Sequence, residues 1–275
     1  MTSLHLTKHH GLGNDFLVAF HPDSDDLASL ARRLCDRRRG IGADGLLVAE
    51  SHEGYAARMT LYNADGSRAE MSGNGIRCFA QALARRRGDL SDQLILTDAG
   101  DRLVVLEATD DPATISARVE MGDVSPLDEP SGGSALGCHP DRPLAHLSLG
   151  NPHSVVCVDE VAVVDLALLG GQVPQVNLEI IEPGPEPNAV TMRVHERGAG
   201  ITEACGTGAC AAAFAARSWG LVASAATDVV VHMDGGTATV SFADDAPRRA
   251  VLTGPATFVG SIEIETGSGS ELGDS

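Results

Sequence analysis

The sequence predicts an α/β fold built of two related halves that face one another, and three observations carry that prediction. Two long stretches are near copies: "NADGSRAEMSGNGIRCFAQALARRRG" from Asn63 and "ERGAGITEACGTGACAAAFAARSWG" from Glu196. Each places Glu two residues before a small nucleophilic residue, Ser72 or Cys205, then Gly-x-Gly, then an Ala-rich run that closes on Gly. A shorter pair, "GLGNDFLV" (Gly11 to Val18) and "LGNPHSVV" (Leu149 to Val156), precedes the copies at similar distances. Asn14 lies 58 residues before Ser72, and Asn151 lies 54 before Cys205. Asn63 and Glu196 each precede their nucleophilic residue by nine. Third, strand-like runs outnumber helical ones and recur in the same order in both parts. Several aligned features favour a true internal repeat over chance reuse of common strand-turn-helix parts.

The elements follow in chain order. Apolar, β-branched runs at "DFLVAF", "GLLVAE", "RMTLYN", "QLILTD" and "RLVVLEA" read as strands, as do "HSVVCVD", "QVNLEII", "VTMRVHE", "DVVVHM" and "TATVSF". Helical patterns fall near 25–37, 75–87 and 207–218, and the last two end at Gly88 and Gly220, as left-handed C-caps would. The Ser, Gly and Pro content of 125–136 marks a loop or joint between halves. The polar tail at 267–275 is expected to be disordered.

Composition removes whole classes of function. At 275 residues the chain can bury a sizeable core in each of two halves. A net charge of −18 with interspersed signs argues against nucleic-acid or anionic membrane surfaces. No apolar run reaches membrane-spanning length, and the "MTSLHLTKHHG" start lacks the apolar region of a signal peptide. The six cysteines are scattered without a CxxC pair, which points to reduced thiols in a cytoplasm and to no metal site. Lys8 is the only lysine, and it sits in a poor place for a Schiff base, so amino-acid chemistry here is expected to need no cofactor.

Gly-x-Gly opening a helix leaves unpaired backbone N–H groups at the positive end of the helix dipole, which makes an anion site. Neither copy has the Gly-Lys-Ser/Thr of a P-loop or the third Gly of a dinucleotide fingerprint. Two such helix starts aimed at one carboxylate would stabilise an enolate-like oxyanion when the neighbouring carbon loses its proton. A thiol at a helix start is expected to have a lowered pKa and to serve as a base. Proton-handling groups on opposite faces of one carbon would make a racemase. The bland readings stay open at this point. Asn14, Asn63 and Asn151 each fit tight turns, His153 fits an ordinary capped histidine, and Arg197 is one of many arginines.

Together with "TKHHGLGNDFLV", "GIGADGLL" and "VLTGPATFV", these motifs resemble the diaminopimelate epimerases, pyridoxal-phosphate-independent enzymes of lysine and cell-wall biosynthesis. The resemblance runs from about Lys8 to Val259. It implies two pseudo-symmetric domains, each a mixed β-sheet curled around a central helix, with residues 1–120 plus 257–266 in one half and 121–256 in the other. It also implies catalytic positions at Ser72 and Cys205, and a reacting carboxylate held by the amides of Gly73, Asn74, Gly206 and Thr207. Asn63, Asn151, Asn177 and Arg197 would clamp the distal end of the substrate, with Asn14 as a further contact. His153 and Glu196 would tune the catalytic pair. Gly45 stands where many members have Gln, so that contact is not carried over. The expected partner is a small amino acid, diaminopimelate, and a homodimer is one expectation for the assembly.

Ser72 departs from the family, whose members have cysteine there. A hydroxyl is a far weaker acid than a thiol and a poor base without a partner. Cys78 cannot replace it, because six helical residues are about 9 Å of rise. Either a native cysteine has been replaced to disarm the site, or the chain is a natural relative with a weak or silent second face. The readings therefore remain an impaired diaminopimelate epimerase, a racemase or one-base dehydratase for another amino acid, or a protein that only binds one.

Overall fold

The computed structural model describes residues 2–136, 143–223 and 226–266, and the expected disordered tail lies outside them. Its strands pair in one continuous network that curls twice, once around each of two long helices. In the first half, strand Asn14–Phe20 runs antiparallel to Thr2–Gly11 and parallel to Gly45–Glu50. Pairing continues antiparallel to Ala57–Asn63, parallel to Gln93–Thr97, and antiparallel through Gly100–Ala108 to Thr114–Asp123. The second half repeats the sequence of directions. Leu144–Ser148 runs antiparallel to Pro152–Cys157, which runs parallel to Asn177–Pro183. Ala189–Glu196 follows antiparallel, Asp228–Met233 parallel, and Gly236–Ala243 antiparallel. The internal repeat is thus one of sheet topology as well as sequence.

A single strand of 21 residues, Ala246–Thr266, ties the halves together. Its first part pairs with Gly236–Ala243, its middle with Thr114–Asp123, and its last part with Thr2–Gly11. The returning strand expected near 257–265 is this last part, and Thr114–Asp123 crosses the division expected at residue 120. The sequence reading missed Thr2–Gly11 and Thr114–Asp123, which alternate instead of forming apolar runs, and the short strands Leu144–Ser148, Arg68–Ala69, Ser125–Pro126 and Gly200–Thr202. In "TISARVEMGD", Ile115, Ala117, Val119 and Met121 are buried while the residues between them are not.

Four α-helices complete the fold: α1 (Leu27–Cys35), α2 (Gly73–Arg87), α3 (Leu166–Gly171) and α4 (Gly206–Trp219). Helix α1 starts where Asp26 accepts a hydrogen bond from Ser29 N, at 2.9 Å. Helices α2 and α4 begin within their Gly-x-Gly motifs and end at Gly88 and Gly220, at φ +80° and +71°. Every residue of α2 from Gly73 to Ala84 is buried, because strands surround it on all sides. Helix α4 is buried in the same way by the strands of the second half and tolerates this because it is mostly Ala and Gly. Gln81, buried on α2, is matched: it bonds His9 at 2.8 Å and donates to the Ala113 carbonyl at 2.8 Å. Burial pushes the His9 pKa down to about 4, so this histidine is neutral and structural.

The central position of α2 yields a stability prediction. Phe79 is fully buried, and Phe79→Ala should cost about 3–5 kcal/mol by loss of burial and cavity formation. Gly88→Ala has open space for its Cβ and only the left-handed φ to strain, so it should cost about 1 kcal/mol. Chemical denaturation of both variants measures the difference; equal losses would contradict the central placement of α2.

Candidate active site

The two helix starts meet. A Cβ built on Gly206 would lie 2.8 Å from Gly73 Cα, and one built on Gly73 would lie 2.9 Å from Gly206 Cα. Only glycine fits at either place, and Leu252 of the long strand seals the contact from beneath. The first-turn N–H groups of both helices therefore open on one place with two positive dipole ends behind them. A cavity of about 640 Å³ lies there, lined by Ser72, Gly73, Asn74, Cys205, Gly206 and Thr207. Asn14, Asn63, Asn151, Asn177, Glu196 and Arg197 also line it. Twelve of the thirteen residues expected from the sequence thus share one cavity. His153 is the exception: it is fully buried behind Asn151.

The two caps differ. Ser72 Oγ accepts a hydrogen bond from Gly75 N at 2.9 Å and so caps α2, whereas the Cys205 side chain makes no cap bond. Around Cys205 the second half assembles a polar chain. Its sulfur lies 3.5 Å from the Thr207 hydroxyl, which accepts from Asn151 Nδ2 at 3.1 Å. Asn151 Oδ1 is 3.0 Å from His153 Nε2, and His153 Nδ1 is 2.7 Å from Glu179 Oε1. Glu196 accepts from the Thr202 hydroxyl at 2.5 Å and from the Cys205 thiol.

The expectation of a lowered pKa at Cys205 is corrected by these surroundings. Burial is the largest effect, and the Glu196 and Glu179 carboxylates add to it, so the thiol is pushed well above its ordinary value. The helix start does not offset this burial and the two carboxylates together. Glu196 is itself raised, chiefly by burial. Cys35, Cys78 and Cys210 are pushed up to about 12 by burial and belong to the core.

The first half contributes a different framework. Asn74 donates to Asn14 Oδ1 at 3.2 Å and, across to the other half, to the Ala204 carbonyl at 2.9 Å. Its own oxygen accepts from Arg77 Nη2 at 2.8 Å. Arg77 is fully buried, its pKa lowered to about 10 by that burial, and it also donates to Gly73 O and Pro255 O. Asn14 Nδ2 donates to Asp44, which Arg37 holds at 2.7 Å. At the distal end, Arg197 N donates to Asn177 Oδ1 at 2.9 Å and leaves the exposed guanidinium at the cavity rim. Asn63 bonds Ser67, so its turn role is real as well. A side chain at Gly45 would put its Cβ 2.8 Å from the Tyr62 carbonyl, so the place has no room for one without a shift of the neighbouring strand. Among the described residues, no cluster of three or more His, Cys, Asp or Glu could hold a metal ion.

Glu179 and Arg77 were missed by the sequence reading. Glu179 interrupts the buried stretch "NLEII", and that was the available signal; Arg77 is one of four arginines in α2, and nothing local set it apart.

Solved structures of low sequence identity share this two-halved architecture. A Bacillus anthracis phenazine biosynthesis protein of the PhzF family matches with TM-score 0.76 at 14% identity, covering 97% of this chain and 100% of that one. A hydroxyproline epimerase from Agrobacterium vitis matches with TM-score 0.66 at 16% identity, covering 96% and 91%. The sequence is more specific. A profile of the family described as diaminopimelate epimerase matches residues 6–127 and 146–259, and the Desulfitobacterium hafniense diaminopimelate epimerase is 36% identical over 93% of this chain and 96% of its own length. The chain belongs to the diaminopimelate epimerase family and is an isomerase of the epimerase class.

The thiol environment predicts a pH profile. Because the pKa of Cys205 is raised, its thiolate is scarce below pH 9, and alkylation by iodoacetamide should be slow at pH 7 and rise about tenfold per pH unit. Mass spectrometry of the labelled peptide checks this; rapid, pH-independent labelling at neutral pH would contradict it.

Proposed function

We propose that this chain acts on diaminopimelate, interconverting the LL and meso forms without a cofactor, and that it does so in impaired form because Ser72 occupies one of the two proton-handling positions. The observation that carries this reading is the contact of two helix starts at Gly73 and Gly206, with Ser72 and Cys205 as the flanking caps of one cavity. A carboxylate seated there would accept hydrogen bonds from the Gly73, Asn74, Gly206 and Thr207 amides. When a base on one face removes the Cα proton, the C–H electron pair moves into that carboxylate and is stabilised by the same amides. A proton delivered to the far face completes inversion.

Cys205 serves one face, with Glu196 as the neighbouring carboxylate able to take or return its proton, and His153 acts from behind through Asn151. On the other face Ser72 has only its hydroxyl, already accepting from Gly75 N. Asn14, Asn63, Asn151 and Asn177 orient the substrate, and Arg197 pairs with a distal carboxylate at the rim. That pairing favours a dicarboxylic amino acid over a proline-like one. Scattered cysteines and the biosynthetic class fit a cytoplasmic enzyme, with a homodimer as its assembly.

The test compares this chain with Ser72→Cys for conversion of LL- to meso-diaminopimelate by chiral chromatography. Restoring the thiol should raise the rate by at least about 10²-fold, the scale of a lost general acid or base. If neither protein converts either isomer, the substrate assignment fails; if both convert equally fast, the impairment fails.

A further inference from the structure

The halves of this fold align strand by strand, and the alignment exposes an asymmetry one layer below the reactive caps. Phe16 is paired in parallel register with Gly45, and His153 with Asn177. Counting two residues on along each second strand equates Leu47 with Glu179, and the two motifs equate Gly75 of α2 with Gly208 of α4. A Cβ on Gly75 would meet Leu47 Cδ2 at 3.5 Å; a Cβ on Gly208 would meet Glu179 Oε1 at 2.5 Å. Beneath Ser72, then, the second layer is Phe16 and Leu47. Beneath Cys205 it is His153 and Glu179, and all four side chains are buried.

A buried carboxylate is costly unless it is bonded and placed favourably. Glu179 sits under the first turn of α4, in space that Gly208 leaves open, where the helix dipole favours negative charge. One of its oxygens holds His153 at 2.7 Å, while Oε2 has no hydrogen-bond partner among the described residues. From His153 the chain of contacts leads through Asn151 and Thr207 to the Cys205 sulfur. The first half manages the same sheet position with apolar residues, so packing alone does not require this carboxylate.

We propose that Glu179 is a positioning residue of the Cys205 face: through His153 and Asn151 it fixes the Thr207 hydroxyl beside the sulfur, and it places a second carboxylate, beside that of Glu196, on this face alone. The proposal rests on the reading of Cys205 as a proton-handling residue. The groups facing Cys205 are Glu196 from Ala189–Glu196, Glu179 from Asn177–Pro183, His153 from Pro152–Cys157 by way of Asn151, and Thr207 from α4, and Ser72 caps α2 in the same cavity.

The test is the pH profile of Cys205 alkylation in ligand-free protein, so it needs no turnover. Fragmentation must assign the label, because Cys210 lies on the same tryptic peptide. Glu179→Gln retains shape and a hydrogen-bond acceptor but removes the charge. Its alkylation midpoint should fall by about one pH unit, so labelling at a fixed lower pH should be about tenfold faster. Should that variant fail to fold, the double variant Glu179→Leu, His153→Phe copies the apolar layer of the first half, and paired replacement of buried polar partners is better tolerated than removal of one. It should shift the midpoint the same way. A midpoint unchanged or raised, in whichever variant folds, overturns the proposal. If the midpoint falls but Ser72→Cys converts no diaminopimelate, the functional reading fails while the role of Glu179 stands.

Discussion

Two glycine Cα atoms in contact, Gly73 and Gly206, govern how this molecule is put together. For two helix starts to touch, each helix must run through the centre of its own sheet, so each must be small or apolar on every side. That requirement explains the alanine-rich α4 and the burial of α2 from Gly73 to Ala84. It explains the long final strand, whose Leu252 lies under both glycines while the strand pairs with both halves. The contact also sets an electrostatic condition: two positive helix ends at one point are unfavourable until an anion lies between them. The Arg77 guanidinium, buried behind Gly73 and Asn74, adds to the same demand. The framework is preorganised for a carboxylate before any ligand is considered.

Fold symmetry and chemical symmetry part company at this point. The halves share strand directions, helix starts and glycine positions, yet the groups they bring to the cavity differ. One face offers a thiol flanked by two carboxylates and backed by a buried histidine; the other offers a capping hydroxyl over apolar packing. Inversion at a carbon requires one group to give a proton while the other takes one, so unequal faces suit the reaction better than identical ones. Ser72 at the first-face cap adds to a difference that the layer beneath already contains.

Much of this was legible because repeats and glycines carry strong local signals. The near-copies around Ser72 and Cys205 announced two related halves, and twelve of the thirteen expected residues line one cavity. Strands that alternate with short side chains, such as Thr114–Asp123, were missed because their apolar residues never form a run. The lowered pKa expected for Cys205 followed from its place at a helix start; what reversed it was burial above all, with the Glu196 and Glu179 carboxylates adding to it, and neither the burial nor Glu179 is announced by the local sequence. Glu179 and Arg77 were overlooked for a related reason. A charged residue in an apolar strand declares itself unusual, one arginine among four in a helix does not, and the target of either is set by tertiary register.

The central claim is that the two helix starts bind one carboxylate together, and calorimetric binding of diaminopimelate to Gly206→Ala tests it most directly. A methyl there must part the two helix starts, while the helices themselves can stay folded. The account predicts a loss of affinity of about 100-fold or more, near 2.7 kcal/mol, with the thermal transition still cooperative. Unchanged affinity in a folded Gly206→Ala protein would show that the carboxylate is held elsewhere and would contradict the account.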